Sequence, residues 1–426
     1  MKSFKITNND ALKYSKISGD YNKIHTNDKI GYNSIFGEKI CHGTLALIKI
    51  LKLINLKRLI KDKKKFSINV KFQNFIKYNN KIFVLKKKNT FTAYQDLREV
   101  IKIKTNFENP SLKTTKLPRY KKISIFTRKK KYKKDQKIEN ISYLLNILSK
   151  YVGTVYPGDL SIIKEISINF NFKLNPKINN IKIISNKLDP RFPIIQNRLS
   201  TENFIIDFQS IERPVVKKNK KFIPKIITKK IQKIKYNALI VGGSQGIGLE
   251  VVNILNQNKK ITKIVTYNVN KIKKSNKKMI PIKLNIFKDL NIINNIIKKH
   301  SPLRIFYFAS PKISFENKLS RDLVKKYQYM FLKAPLTLLR KNKTKEISFF
   351  YPSTTNIFKN KNAYYSQVKR SAEIKLSKLC NKNDISINII RFPALYSRQS
   401  VSIINPNPPS LTEFLQSNPN IFSKIF

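Results

Sequence analysis

Acidic residues are scarce in this chain: 24 Asp and Glu stand against 87 Lys and Arg over 426 residues, a formal charge of +63. There are two cysteines and three histidines, and tryptophan does not occur. Cys41 and Cys380 are too few for a disulfide framework, which suits a reducing compartment, and a cytoplasmic location is expected. Ile40 to Leu56 is the greasiest region, but lysines interrupt it well short of a membrane span. No apolar core follows the first lysines, so no secretory signal is expected. The acid deficit raises nucleic acid or an anionic membrane as partner. Yet the lysines are spread along the whole chain among Asn, Ile, Phe and Tyr, without a compact basic motif, zinc pattern or RNA-binding aromatic signature. AT-rich coding produces such a spread, which implies only nonspecific, salt-sensitive attraction to polyanions. The length and a hydrophobic fraction of 41% allow two or three domains, each with a core.

Against that background, one stretch concentrates chemistry. Ser18-Gly19-Asp20, Asn22, Ile24-His25, Asp28, Phe36-Gly37 and Ile40-Cys41-His42-Gly43 hold two of the three histidines. Asp20 and His25 are spaced as in a loop, and a carboxylate that orients an imidazole can position a water and move its proton. Taken alone, an Asp and a His are more often a turn and a surface side chain. The full string resembles the MaoC-like hot-dog dehydratases, a family that includes (R)-specific enoyl-thioester hydratases. The resemblance implies that Asp20 and His25 add water to a 2-enoyl thioester or remove it in reverse. It also implies that Asn22 and Gly43 contact substrate, with backbone N–H groups near Gly43 polarising the thioester carbonyl. Cys41, inside the same string, reads as a packed thiol.

Downstream, apolar residues at helical spacing predict an amphipathic helix over Thr44–Leu59, followed by a strand over Phe66–Phe72. Residues 111–137 and 217–235 read as basic linkers. Between them, a helix over Ile141–Tyr151, a turn-rich loop over Gly153–Gly158 and a strand over Ile166–Phe172 repeat the first pattern without its Asp/His pair. Tyr151 to Gly158 also resembles MaoC-like proteins. The expected fold of this part is therefore an α+β double hot-dog, with residues 1–110 catalytic and 138–216 a non-catalytic half that completes an acyl tunnel.

From Tyr236 the pattern becomes alternating strand and helix. The buried run Ala238–Val241 leads into Gly242, Gly243, Ser244, Gln245, Gly246, Ile247 and Gly248, with a helix from Glu250, the arrangement that brings a pyrophosphate to a helix N-terminus. Strands are expected over Leu303–Ala309 and Glu346–Tyr351, then Tyr365 and Lys369 on one helix face, and then Arg391-Phe392-Pro393. A tight turn and a solvated helix face would explain the pieces separately. Together they resemble the short-chain dehydrogenase/reductase family, which implies an α/β Rossmann-like doubly wound parallel sheet over residues 236–426. The resemblance implies Ser353, Tyr365 and Lys369 as catalytic, with Thr354 as the alternative hydroxyl, and the lysine lowering the tyrosine's pKa. It implies dinucleotide contacts at Gly242, Ser244, Gln245, Gly246, Ile247, Gly248, Asn285, Ala309 and Pro393. Phe331 stands where the family often has an asparagine, Tyr307-Phe308-Ala309-Ser310 replaces its Asn-Asn-Ala-Gly, and Asn285 replaces an Asp that meets adenine. The second strand, Lys263–Tyr267, lacks a terminal acid and is followed by Asn270, Lys271, Lys273 and Lys274, so NADP is preferred over NAD.

The two regions share an intermediate, because a reductase makes the 3-hydroxyacyl thioester that a dehydratase consumes. The expected protein is a bifunctional enzyme on coenzyme A or acyl-carrier-protein thioesters, without a metal and with possible homo-oligomers. A degenerate acyl- or dinucleotide-binding sensor and a charge-driven nucleic-acid binder are the alternatives.

Overall fold

The computed structural model describes residues 2–34, 36–107, 122–125 (backbone), 137–171, 181–187, 192–212, 223–273, 276–300, 303–313, 319, 321–342, 347–361, 363–383, 385–397, 400 and 408–426. They form two units, Met1–Val215 and Val216–Phe426.

In the first unit ten strands make one antiparallel sheet: β1 (Lys2–Phe4), β2 (Lys65–Phe72), β3 (Ile82–Lys87), β4 (Thr90–Gln95), β5 (Arg98–Asn106), β6 (Lys122–Ile125), β7 (Ile162–Asn171), β8 (Lys182–Asn186), β9 (Ile194–Ser200) and β10 (Phe204–Ile211). The order β1-β3-β4-β5-β2-β7-β10-β9-β8-β6 puts the two repeated strands side by side at the centre. Phe66, Ile68 and Val70 face Phe170, Ile168 and Ile166 across that seam, and the Phe66 and Phe170 rings stack at 4.8 Å. Alternate residues of these strands turn one face to the interior, as the strict period-two burial of β9 and β10 shows. On that face lie helices Gly43–Leu53 and Lys137–Lys150, whose Leu47, Ile50, Leu51, Ile141, Leu144 and Leu148 join the strands in one core.

Four local expectations are corrected here. The helix predicted over Thr44–Leu59 stops at Leu53, because Asn55 takes a left-handed φ of 53°, and a second helix covers Leu56–Ile60. Its exposed-face lysines are few, so it is buried nearly all round rather than amphipathic. The turn-rich loop expected at Gly153 begins instead as a π-helical turn, Tyr151–Val155, continuing the preceding helix. Of the stretch 111–137, residues 111–121 and 126–136 lie outside the described residues, whereas Lys122–Ile125 is strand β6 and pairs with β8. In the other expected linker, Lys225–Gln232 is a helix, because Ile227 and Ile231, one turn apart, bury against Val251 and Ile254.

The second unit carries β11 (Asn237–Val241), β12 (Lys263–Tyr267), β13 (Met279–Lys283), β14 (Leu303–Tyr307), β15 (Ile347–Thr354) and β16 (Ser386–Phe392), all parallel, in the order β13-β12-β11-β14-β15-β16. This is the Rossmann-like order, with its switch point between β11 and β14. Parallel strands buried on both faces read as continuous apolar runs, and Ala238 to Val241 is almost fully buried. Helices Gly246–Leu255, Leu290–His300, Ala334–Lys341 and Tyr364–Lys382 supply apolar faces to the cores beside the sheet. Among the described residues no helix is long and apolar enough to cross a membrane.

Candidate active sites

Helix Asn8–Ser18 ends at Gly19, whose φ of 75° reverses the chain and delivers Asp20 into the interior, 3% exposed. Asn22 then caps the one-turn helix Lys23–Thr26. Its Oδ1 accepts from Ile24 N (3.3 Å) and Leu160 N (3.0 Å), and its Nδ2 donates to Ser161 O (3.2 Å). Expected as a substrate contact, Asn22 does border the cavity, but these bonds commit its amide to tying the loop to the second half. His25, on that helix, donates Nδ1–H to Ile40 O at 2.8 Å, which leaves Nε2 as the basic nitrogen. Tyr78 holds the same corner through its hydroxyl, which lies 3.0 Å from Ile40 O and 3.1 Å from His25 O.

Burial depresses the His25 pKa; the Asp20 charge and the Ile40 carbonyl oppose this without reversing it, so the ring is neutral at pH 7. His42 stacks beside it, ring centroids 4.0 Å apart, and is pushed well down by burial and then by His25. Donor atoms of Asp20, His25 and His42 lie within 4.8 Å of one another, a spacing that could also hold a metal ion. Cys41 is a buried thiol whose pKa burial raises, as a packing role requires.

The second half reaches this site directly. Ser149 Oγ donates to Asp20 Oδ2 at 2.6 Å. Asp20 Oδ1 accepts from Asn22 N at 3.1 Å and lies so close to Gly153 that a Cβ there would stand 2.1 Å from it. A cavity of about 320 Å³ opens on Asp20, His25 and Gly43 from one half and on Ser149, Gly153 and Ile163 from the other. Gly43 begins its helix with no side-chain cap, and the Phe72 ring would lie 2.9 Å from a Cβ there. Ser149 and Thr44 were not singled out in the sequence, because lone hydroxyls on helices carry no pattern.

In the second unit, the glycine turn sits at the switch point. Gly242 has φ 86°, and a Cβ on it would meet Ala309 N at 2.9 Å; one on Gly248 would meet Gly242 O at 2.4 Å. These close approaches leave backbone for a phosphate to lie against, next to a helix whose N-terminus has no side-chain cap. Ser244, Gln245, Gly246 and Ile247 line the turn between them; Gln245 Oε1 accepts from Asn270 Nδ2, and Ile247 packs on the core. Asn285 Oδ1 is occupied by Phe287 N, a local turn, and Pro393 is exposed just beyond β16.

The expected reductase triad is differently arranged. Thr354, not Ser353, hydrogen-bonds the Tyr365 phenol, while Ser353 Oγ is buried without a partner. Burial pushes Tyr365 up to about 12, and Thr354 opposes it; Lys369 is not what lowers it, correcting the expectation. The lysine instead donates to Pro352 O at 2.6 Å, between the rings of Tyr351 (4.2 Å) and Phe331 (4.5 Å), and burial brings it down to about 7. Phe331, in the position noted for an asparagine, forms part of this aromatic box.

Residues 1–108 match the family model described as MaoC like domain, and form a MaoC-like domain. Curated proteins give no match. Among solved structures, the chain is similar to a UDP-glucuronic acid 4-epimerase from Bacillus cereus, in complex with NAD (16% identity, 38% of this chain and 56% of that one, TM-score 0.32). It is also similar to a short-chain dehydrogenase from Sphingobium yanoikuyae, in complex with NADPH (12%, 45% and 85%, 0.38). A tesB protein from Mycobacterium avium subs paratuberculosis is similar at 10% identity over 41% of this chain and 87% of that one, TM-score 0.27. The chain thus spans just over half the length of the epimerase. A MaoC-like domain and a Rossmann-like unit stand in one chain.

Proposed function

We propose that the chain is a bifunctional acyl-thioester enzyme: a double hot-dog hydratase/dehydratase of (R)-3-hydroxyacyl and 2-enoyl thioesters, joined to a short-chain reductase of 3-oxoacyl thioesters. The observation that carries the first half is the meeting of Asp20 and His25 on one cavity wall, buried, with the imidazole neutral and its Nδ1 committed to Ile40 O. Neutral Nε2 and the Asp20 carboxylate hold a water as general bases and return a proton to the substrate's α carbon. The unbonded N–H groups at the start of helix Gly43–Leu53 polarise the thioester carbonyl. Coenzyme A and acyl carrier protein are both anionic carriers, which a +63 chain attracts. A cytoplasmic setting and a homo-oligomer fit this reading.

Purified protein given crotonyl-CoA should lose enoyl absorbance; no loss under any condition in which the protein is folded would reject the hydratase. Because His25 titrates below its ordinary 6.5, kcat/KM for hydration should stay flat down through pH 6.5 and fall only below it. An acid limb centred above 6.5 would assign the base elsewhere.

In the second half, Gly242, Gly246 and Gly248 would hold the pyrophosphate of NADP, with Lys271 and Lys273 near its 2'-phosphate; the nicotinamide supplies hydride when bound. Gly248→Ala, with its Cβ 2.4 Å from Gly242 O, should weaken NADPH binding about tenfold or more, read by fluorescence titration. Unchanged affinity would move the cofactor elsewhere. One observation favours a second reading, a dinucleotide-binding unit without turnover: Lys369 is held on Pro352 O inside an aromatic box. NADPH binding without oxidation by acetoacetyl-CoA would select it.

A further inference from the structure

Asp20 is the end of a hydrogen-bond chain that runs through three helices. Tyr14 donates its hydroxyl to Thr44 Oγ1 (2.9 Å), Thr44 donates to Ser149 Oγ (2.8 Å), and Ser149 donates to Asp20 Oδ2 (2.6 Å). All four side chains are buried: Tyr14 5%, Thr44 1%, Ser149 3% and Asp20 3% exposed. Each hydroxyl has one proton, so the direction of the chain is fixed by its ends. A carboxylate accepts at one end, and at the other a phenol, whose pKa burial raises, donates.

We propose that Ser149, Thr44 and Tyr14 form a positioning relay that fixes the rotamer of Asp20, so that the helix contributed by the second half is part of the catalytic apparatus. This rests on the reading of Asp20 as the carboxylate that acts on water.

Three observations support a clamp over a proton wire. The relay ends inside the core, since Tyr14 is buried and packs edge-on against His42 at 5.0 Å. The hydroxyls polarise one another in sequence, which strengthens the last bond to the carboxylate. The other carboxylate oxygen is confined by Asn22 N and by the bare Cα of Gly153, so the relay and the glycine hold Asp20 from opposite sides. The titratable groups facing Asp20 from the first half are His25, His42, Tyr14 and Tyr78. Helix Lys137–Lys150 and the turn after it bring the uncharged Ser149 and Gly153, and Lys150, whose side chain packs beside Gly19.

The test is a graded set of variants assayed for crotonyl-CoA hydration. Ser149→Ala should lower kcat about 10- to 100-fold with KM within about twofold, because the carboxylate loses its orientation but the cavity keeps its shape. Tyr14→Phe, which keeps the ring, should lower kcat by less, and Ser149→Thr should restore it. A KM that rises as kcat falls, no rescue by Ser149→Thr, or no graded effect in Tyr14→Phe would overturn the relay in favour of plain packing. Protection of the Thr44 and Ser149 hydroxyl protons against exchange, followed by NMR in substrate-free protein, separates the two claims. Protected hydroxyls without any hydration by the wild type would keep the clamp and reject the hydratase; hydration with rapidly exchanging hydroxyls would reject the clamp alone.

Discussion

Asp20→Asn should reduce the kcat of crotonyl-CoA hydration by about 10³-fold, within the range that a positioned acid–base group contributes. The substitution is close to isosteric: the amide oxygen can keep the bond from Asn22 N, while the new NH2 faces Ser149 Oγ, which must re-aim its proton and accept instead, so the fold should hold at a small cost. What disappears is the negative charge beside His25. That charge is also the largest influence opposing the burial of the imidazole, so His25 in the variant should be still harder to protonate. The expected pattern is a lost kcat, a KM changed far less, and a thermal transition lowered only slightly. A variant retaining more than about a tenth of wild-type turnover would remove Asp20 from the chemistry.

The second large effect is expected from a residue that bears no functional group. Gly153→Ala would put a Cβ 2.1 Å from Asp20 Oδ1 and 2.7 Å from its Cγ, distances no side chain tolerates. Neither partner is free to retreat. Gly153 sits within the helical turn Tyr151–Val155, and Asp20 is bonded on both oxygens. The Asp20 side chain must rotate away from His25 or the turn must shift. Overpacking of this kind costs about 1–3 kcal/mol of stability. A displacement near 1 Å at the reacting group costs about 10²-fold in rate. NADPH binding, on the other unit, should be unchanged, which separates a local loss from general misfolding. Wild-type hydration in Gly153→Ala would show that the Asp20 geometry described here is not the working one.

The sequence made the parts with periodicity or punctuation legible. Alternation in 66–72 and 166–172 announced paired halves, and strands β2 and β7 turn out to pair with each other at the centre of the sheet. The glycine turn was readable because strand, turn and helix follow in order, and Gly242 and Gly248 do approach neighbouring backbone too closely for any Cβ. What could not be read were relationships made only by folding. Ser149 lies far along the chain from Asp20, and nothing local marks a helix serine as a carboxylate partner. Helix Lys225–Gln232 was hidden because its lysines resemble a linker, while two isoleucines suffice to dock it. The Tyr365/Lys369 spacing was legible, but the consequence drawn from it was not. A four-residue offset places both side chains on one helix face, and whether the ammonium turns to the phenol depends on what surrounds it. Here Phe331, Tyr351 and the Pro352 carbonyl take it instead.

That lysine also gives the second unit a pH signature. Its folded pKa, near 7, lies below the unfolded 10.5, so between those values the unfolded chain binds more protons. The contribution of this residue to stability therefore rises as pH increases from about 7 toward 10.5. Lys369→Met should flatten that part of the thermal-melting profile; an unchanged slope would mean that the ammonium is solvated.

The most direct measurement is hydration of crotonyl-CoA in ¹⁸O-labelled water, with the product resolved by chirality and mass. A buried Asp20–His25 pair acting on water within the thioester cavity predicts one labelled oxygen at C3 of (R)-3-hydroxybutyryl-CoA, and its absence in Asp20→Asn. An (S) product, a label at the thioester carbonyl from hydrolysis, or equal labelling by the variant would contradict it.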